Sequence, residues 1–267
     1  MSIGVTIVGV TGWVGRALVP AVAAAPDLHL AAAVSRSAAG RDAGEAAGGK
    51  PIGVRIVPTL AEALTTACDV VVDYTKPDAV KGHVLAAIEA GRAVVIGTSG
   101  LTGDDYGEID SAARRRGVGV LAAGNFSITA TLMRRFALMA APYVRDVEVL
   151  DYAAAGKPDV PSGTALELAE MLASVRQDPT SVPVDALHGP RETRGADIGR
   201  TRVHSIRMPG YVISCEVLFG APDERLSIRH DAGSSAAPYV GGTLLAVRRV
   251  REAVGLHRGL DSVMDQM

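Results

Sequence analysis

Short apolar runs alternate with amphipathic stretches through the first half of the chain. Residues 3–10, 28–34, 54–57, 70–74, 93–97 and 119–123 form such runs, most of them rich in Val and Ile, as strands covered on both faces are. Between them, residues 14–25, 59–65, 79–90 and 106–116 carry apolar side chains at helical spacing. This alternation predicts an α/β fold with a doubly wound parallel sheet. After residue 126 the rhythm changes. Helices are predicted over 128–143 and 165–176, a strand over 147–152, and loops over 153–163 and 179–199. Three strand-like runs follow, 202–207, 212–219 and 225–230. Pro209-Gly210 and Ala221-Pro222 separate them, which predicts antiparallel pairing of the three. A last amphipathic helix, 240–254, is expected to close the chain.

Composition narrows the function classes. The 267 residues are 48% hydrophobic and 21% charged, with a net charge of −2. That balance suits one large or two modest globular domains and leaves no electrostatic footprint for nucleic acid or an anionic membrane. No apolar run approaches the roughly 18 residues that span a bilayer. The N-terminus has no charged segment before its first strand, so no secretion signal is expected. Cys68 and Cys215 sit inside apolar runs and are expected to be buried structural thiols, consistent with a reducing, cytoplasmic compartment. No His, Cys, Asp or Glu cluster has metal-ligand spacing, so no metal is expected.

The strongest local signal is Gly9-Val10-Thr11-Gly12-Trp13-Val14-Gly15, directly after the first strand and opening the first helix. Small residues there let the backbone turn tightly and approach a pyrophosphate, which rests on the helix N-terminus; this is the Rossmann arrangement. The second predicted strand ends on Ser35-Arg36. An NAD site usually places a carboxylate at this point, whereas a guanidinium pairs with a 2′-phosphate, so NADP is preferred and NAD is the alternative. Extended short-chain dehydrogenases share the glycine pattern but need a Tyr and a Lys four residues apart on one helix face. None of the four lysines, Lys50, Lys76, Lys81 and Lys157, follows a Tyr at that spacing, which excludes that class.

Five ordered blocks span nearly the whole chain. They are Gly9–Arg16, Asp73-Tyr74-Thr75-Lys76-Pro77, Gly97-Thr98-Ser99-Gly100, Ala123-Gly124-Asn125-Phe126-Ser127 and Lys157-Pro158-Asp159-Val160-Pro161-Ser162-Gly163-Thr164-Ala165. Together they resemble the dihydrodipicolinate reductase family. The resemblance implies a split Rossmann domain, residues 1–126 with 240–267, and an inserted α+β domain, 127–239, that binds substrate and builds a homotetramer. It implies hydride transfer from NADPH to the C=N bond of a small imino carboxylate, either 4-hydroxy-tetrahydrodipicolinate of the lysine and diaminopimelate pathway or a related substrate. Gly97, Thr98 and Ser99, with Ala123, Gly124, Asn125 and Phe126, correspond to segments at the nicotinamide end of the cofactor, and Tyr74 is assigned to the same site. Lys157 matches a proton donor. Ser162, Gly163 and Thr164 match a substrate-carboxylate turn, and their position before a predicted helix suits an anion.

The chain departs from the family at several positions. Ala153 and Ala154 stand where the family has a histidine pair, Gly156 where it has a further histidine, Ser235 where it has an arginine and Pro238 where it has a phenylalanine. Alanine neither titrates nor donates a hydrogen bond, so imidazole-assisted proton delivery is lost. Lys157 is then expected to donate alone, with Tyr152 as the next candidate; His204 and His230 are expected to be structural. Two alternatives to a reductase stay open at this point: a non-catalytic NADPH-binding sensor, and an amino-acid dehydrogenase of the same fold.

Overall fold

The computed structural model describes residues 2–176 and 180–264. Pro179, where the expected loop begins, lies outside the described residues. The chain divides into two compact units, Met1–Ile128 with Ala236–Met267, and Thr129–Ser235. Among the described residues, no helix is long and apolar enough to cross a membrane.

In the first unit, strand and helix alternate as the apolar runs require. The elements are β1 (Ile3–Val8), α1 (Trp13–Ala24), β2 (Leu28–Val34), α2 (Ala43–Ala46), β3 (Ile56–Val57), α3 (Leu60–Ala63), β4 (Val70–Asp73), α4 (Pro77–Glu89), β5 (Ala93–Ile96), α5 (Gly103–Arg116) and β6 (Gly119–Ala122). Val5, Ile7, Val70, Val71, Val94, Val95 and Val120 are fully buried, because helices cover both faces of the sheet. Thr102 and Asp105 cap α5 reciprocally, Arg114, Arg115 and Arg116 close its last turn, and Gly117 ends it in the left-handed region.

The second unit begins after the first residue of α6 (Ile128–Ala140) and continues with β7 (Asp146–Ala153), α7 (Gly163–Val175), β8 (Ala196–Ile198), β9 (Thr201–Arg207), β10 (Ile213–Ala221) and β11 (Glu224–Ala232). Its five-stranded mixed sheet has the order β11-β10-β7-β9-β8. One face carries Val147, Val149, Val203, Val217 and Phe219 against Met133 and Ala137 of α6 and Leu168 and Leu172 of α7.

Three sequence expectations are corrected. First, β9 and β10 do not pair: β7 lies between them, parallel to β9 and antiparallel to β10, and only β10 and β11 form the expected hairpin. Residues 208–212 are too many for a tight turn and span two strand spacings of about 4.8 Å over the end of β7. The crossing is stitched by Met208 N–H to Ala153 O (3.2 Å) and Ala154 N–H to Val212 O (3.3 Å). Second, the expected loop 179–199 holds two short 3-10 turns and β8, which is too brief to give a periodic signal. Third, the closing helix stops early. After α8 (Ala237–Arg249) the chain turns and adds β12 (Gly255–Arg258), a seventh parallel strand beside β6. The finished sheet reads β12-β6-β5-β4-β1-β2-β3, the doubly wound Rossmann order extended by one strand.

That addition depends on a missing side chain. A Cβ at Gly119 would lie 1.9 Å from Val250 O and 2.8 Å from Ala253 O, the turn that leads into β12. Gly119→Ala is therefore expected to lower the unfolding free energy by about 1–3 kcal/mol through overpacking. Gly82→Ala, in open space on α4, should leave it unchanged or raise it slightly. Urea unfolding of both variants tests the contrast.

Candidate functional site

The glycine motif forms a cradle at the carboxyl edge of the sheet. Gly9 has φ +87°, and a Cβ there would lie 2.3 Å from Tyr74 O; one at Gly15 would lie 2.2 Å from Gly9 O. Side chains at these points would push apart the β1–α1 and β4–α4 connections. Gly12 caps α1 without a side-chain hydrogen bond, and the first turn has no acidic residue, so the opening amides of α1 suit an anion. Val10 and Gly15 are buried beneath the turn, Thr11 and Val14 are half-buried, and Trp13 is 56% exposed, its ring edge-on to Tyr239 at 5.4 Å. At the end of β2, Ser35 Oγ lies 2.9 Å from Thr11 Oγ1 and 3.3 Å from Ser37 Oγ. Arg36 beside it is exposed and makes no ion pair among the described residues. This corner offers hydroxyls and a guanidinium with no carboxylate among those partners, a donor set that fits a phosphate.

The remaining cofactor candidates lie at the ends of β4, β5 and β6. The Tyr74 hydroxyl donates to Thr243 Oγ1 (2.8 Å), which passes its own proton to Tyr239 O; burial pushes the phenol above its ordinary pKa. Its ring lies over Gly97, where a Cβ would come within 2.0 Å of Tyr74 Cε1, and meets Phe126 edge-on at 5.9 Å. Ser99 and Gly124 are exposed, and Gly97, Ala123 and Asn125 are half-buried. Asn125 Oδ1 accepts the Ser127 N–H at 2.8 Å. Thr98 turns its hydroxyl inward to Asp73, and Phe126 is core, so both support this edge from beneath.

In the second unit the site grows from a buried carboxylate. Successive strand residues face opposite ways, so Asp151 follows Val147 and Val149 onto the helix-covered face of β7. Tyr152 takes the other face and donates to Glu216 Oε2 at 3.0 Å. Asp151 is fully buried and accepts from the Ser162 hydroxyl (2.6 Å), the Ser162 N–H (2.7 Å), Arg207 Nη2 (2.7 Å) and the Ser205 hydroxyl (3.3 Å). Burial raises its pKa, but the Ser162 hydroxyl, the Arg207 guanidinium and the Ser162 N–H together outweigh burial and hold it below the usual carboxylate value. Arg207 Nη2 also donates to Asp159 O at 2.8 Å, which fastens the 157–162 loop to β9. Beside Asp151, burial first and the carboxylate second push the Cys215 thiol up to about 12.

Ser162, fully occupied in this way, is the N-cap of α7 and accepts the Ala165 N–H; Gly163 is exposed and Thr164 half-exposed. Lys157 Nζ pairs with Asp159 Oδ1 at 2.8 Å. The Lys157 hydrogen bond holds the Asp159 carboxyl below its usual value, and the Gly163 N–H adds to the effect. Ala153 is fully buried in register with Arg207 and Ile213, whereas Ala154 and Gly156 are exposed. His204 Nε2 is bound to Glu148 at 2.7 Å, and burial pushes His230 below its ordinary pKa. Among the described residues, no cluster of acidic, histidine and cysteine side chains could hold a metal ion.

A doubly wound dinucleotide cradle joined to a mixed-sheet unit defines a pyridine-nucleotide-dependent oxidoreductase fold. Family models sharpen this: residues 3–126 match the dihydrodipicolinate reductase N-terminus and residues 128–264 its C-terminus. The chain belongs to the dihydrodipicolinate reductase family. The 4-hydroxy-tetrahydrodipicolinate reductase of Synechococcus elongatus is 38% identical over 98% of both chains, and that of Desulfitobacterium hafniense is 36% identical over 99% of both. The dipicolinate-bound dihydrodipicolinate reductase of Paenisporosarcina sp. TG-14 superposes with a TM-score of 0.88 at 30% identity, covering 99% of this chain and 100% of that one. An amine dehydrogenase of Mycobacterium smegmatis shares the fold, with a TM-score of 0.67 at 14% identity.

Sequence reading names Asp73 only within a motif block, without a role, and leaves out His83, Thr243, Arg207 and the part played by Asp151. Asp73 does carry a signal, a charge closing an all-valine run; an arginine ending a strand carries none. Arg207→Met would leave Asp151 buried and unpaired and is expected to cost about 3–5 kcal/mol in urea unfolding. A carboxyl depressed in the folded state stabilises it fully above the unfolded pKa of about 3.9, and the gain disappears as pH falls through the folded value. The unfolding free energy of the wild type should therefore drop as acid is added below that pH, and Asp151→Asn should flatten the slope.

Proposed function

We propose that this enzyme reduces the C=N bond of a small imino carboxylate with NADPH. The observation that carries this is the Lys157–Asp159–Gly163 cluster. An aspartate carboxylate there already takes the Lys157 ammonium at 2.8 Å, the donor that a substrate carboxylate would use, and the exposed Gly163 at the start of α7 follows in the chain. Gly163 and Thr164 hold the acid at the positive end of α7, and Ser162 keeps that turn in place. Lys157 Nζ gives a proton to the imine nitrogen as its carbon is reduced. The opening amides of α1 and Arg36 hold the pyrophosphate and the 2′-phosphate, with the 97–99 and 123–126 segments and Tyr74 at the nicotinamide end. Bound there, a reduced nicotinamide supplies the hydride.

Buried free thiols at Cys68 and Cys215 support a reducing, cytoplasmic setting. The exposed apolar side chains of Val212 and Leu226 beside the open hairpin support a homotetramer.

The candidate substrate is 4-hydroxy-tetrahydrodipicolinate, the compound named for the relatives, or a bulkier and less charged imino acid. Ala153, Ala154 and Gly156 favour the second. Each charge-assisted hydrogen bond is worth about 1.5–3 kcal/mol, so losing two lowers efficiency on the dianionic ring by about 10²- to 10⁴-fold. Coupling the upstream synthase to this protein and following NADPH oxidation decides between them. The expected turnover is below about 10 s⁻¹, an ordinary enzyme rate; a higher one restores the plain family substrate. No oxidation across a panel of imino and keto acids, with NADPH still bound, would mean a sensor.

Two substitutions separate the roles. Arg36→Ala should weaken NADPH far more than NADH, because only the 2′-phosphate loses a partner; equal losses would refute the NADP preference. Lys157→Met should lower turnover by about 10²-fold or more with NADPH affinity intact. Near wild-type turnover would move the proton donor elsewhere.

A further inference from the structure

We infer that Asp73, gripped by His83, is a positioning residue for the nicotinamide half of the dinucleotide, because it locks the 74–76 turn to the 97–99 segment. The inference rests on the dinucleotide reading of the first unit. β4 runs Val70-Val71-Val72-Asp73 with all four residues buried, and a carboxylate there must have its oxygens satisfied by protein groups. Oδ1 accepts from the Thr75 N–H (3.0 Å), the Thr75 hydroxyl (2.7 Å) and the Thr98 hydroxyl (2.7 Å). Oδ2 takes His83 Nδ1 at 2.8 Å.

The two threonines are also bonded to each other. Thr98 spends its proton on Asp73 and accepts the Thr75 N–H at 2.7 Å, and the Gly97 N–H donates to Asp73 O at 2.9 Å. One carboxylate thus fixes both connections where they leave the carboxyl edge of the sheet, the edge at which doubly wound folds bind their ligands. Tyr74, between Asp73 and Thr75, is held over Gly97 as a consequence. His83 stands on α4, outside every segment assigned to the cofactor, and its ring is 29% exposed. It acts through Asp73, by keeping Oδ2 bonded and Oδ1 turned toward the threonines. Removing the ring leaves Oδ2 buried without that partner, so the carboxylate rotates and both segments lose their common acceptor.

The test is calorimetric titration of the wild-type chain, His83→Ala and His83→Asn with three probes: NADPH, 2′,5′-ADP and ADP-ribose. The last two lack the nicotinamide. Loss of one charge-assisted hydrogen bond predicts that His83→Ala binds NADPH about tenfold more weakly while both fragments bind within about twofold of wild type. An asparagine amide stands where Nδ1 does, so His83→Asn is expected to restore most of the NADPH affinity. Equal losses for all three probes would make the pair a general structural prop and overturn the inference. So would unchanged NADPH binding by His83→Ala, or an asparagine variant as weak as the alanine one. A wild-type chain that binds none of the probes would overturn the dinucleotide reading itself, and this inference with it.

Discussion

A carboxylate cut off from water must have its lone pairs met by the protein, and each unit of this enzyme is organised around one such group. Leaving the charge unpaired costs several kcal/mol, more than most loop rearrangements. The surrounding connections therefore have little choice of position. Asp73 closes β4 and gathers two threonines, an imidazole and a backbone amide. Asp151, near the end of β7, gathers Arg207, Ser205 and both donors of Ser162. Asp73 closes an all-valine strand and Asp151 stands among valines on the helix-covered face of β7, each near the end where loops must be held.

The two devices serve different chemistry. The first keeps the 74–76 turn and the 97–99 segment in one arrangement beside a glycine cradle whose opening amides suit an anion. The second fastens the 157–162 loop and the N-cap of α7, so Lys157 and the Gly163-Thr164 turn sit on a rigid base. In the proposed reaction a fixed base is what the proton donor and the carboxylate anchor require, because misplacing either sacrifices rate that no other contact recovers. The side chains of Ala153, Ala154 and Gly156 take no part in holding this base, which rests on Ser162, Ser205 and Arg207.

Much of this was legible in the sequence, and the limits are physical. The parallel sheet announced itself because strands buried on both faces must be continuously apolar, and the glycine cradle because only glycine fits where Gly9 and Gly15 meet neighbouring backbone. The insertion of β7 between β9 and β10 was hidden, since strand pairing is a long-range choice and a five-residue connection allows either a hairpin or a crossing. β12 was hidden because four residues give no period. At the sites, motif residues such as Thr98 and Ser162 were visible, but the partners that orient them were not. His83 and Arg207 act from ten and 56 residues away on their carboxylates, and nothing local marks them.

The most direct measurement of this account is amide hydrogen exchange on the wild type, Asp73→Asn and Asp151→Asn. If the two carboxylates organise their own loops, Asp73→Asn exposes the Thr75 and Gly97 amides to exchange and leaves the 157–163 segment protected. Asp151→Asn does the reverse, freeing the Ser162 amide while residues 74–76 stay as they were. Uniformly faster exchange across the chain in both variants, or unchanged protection at these amides, would contradict it.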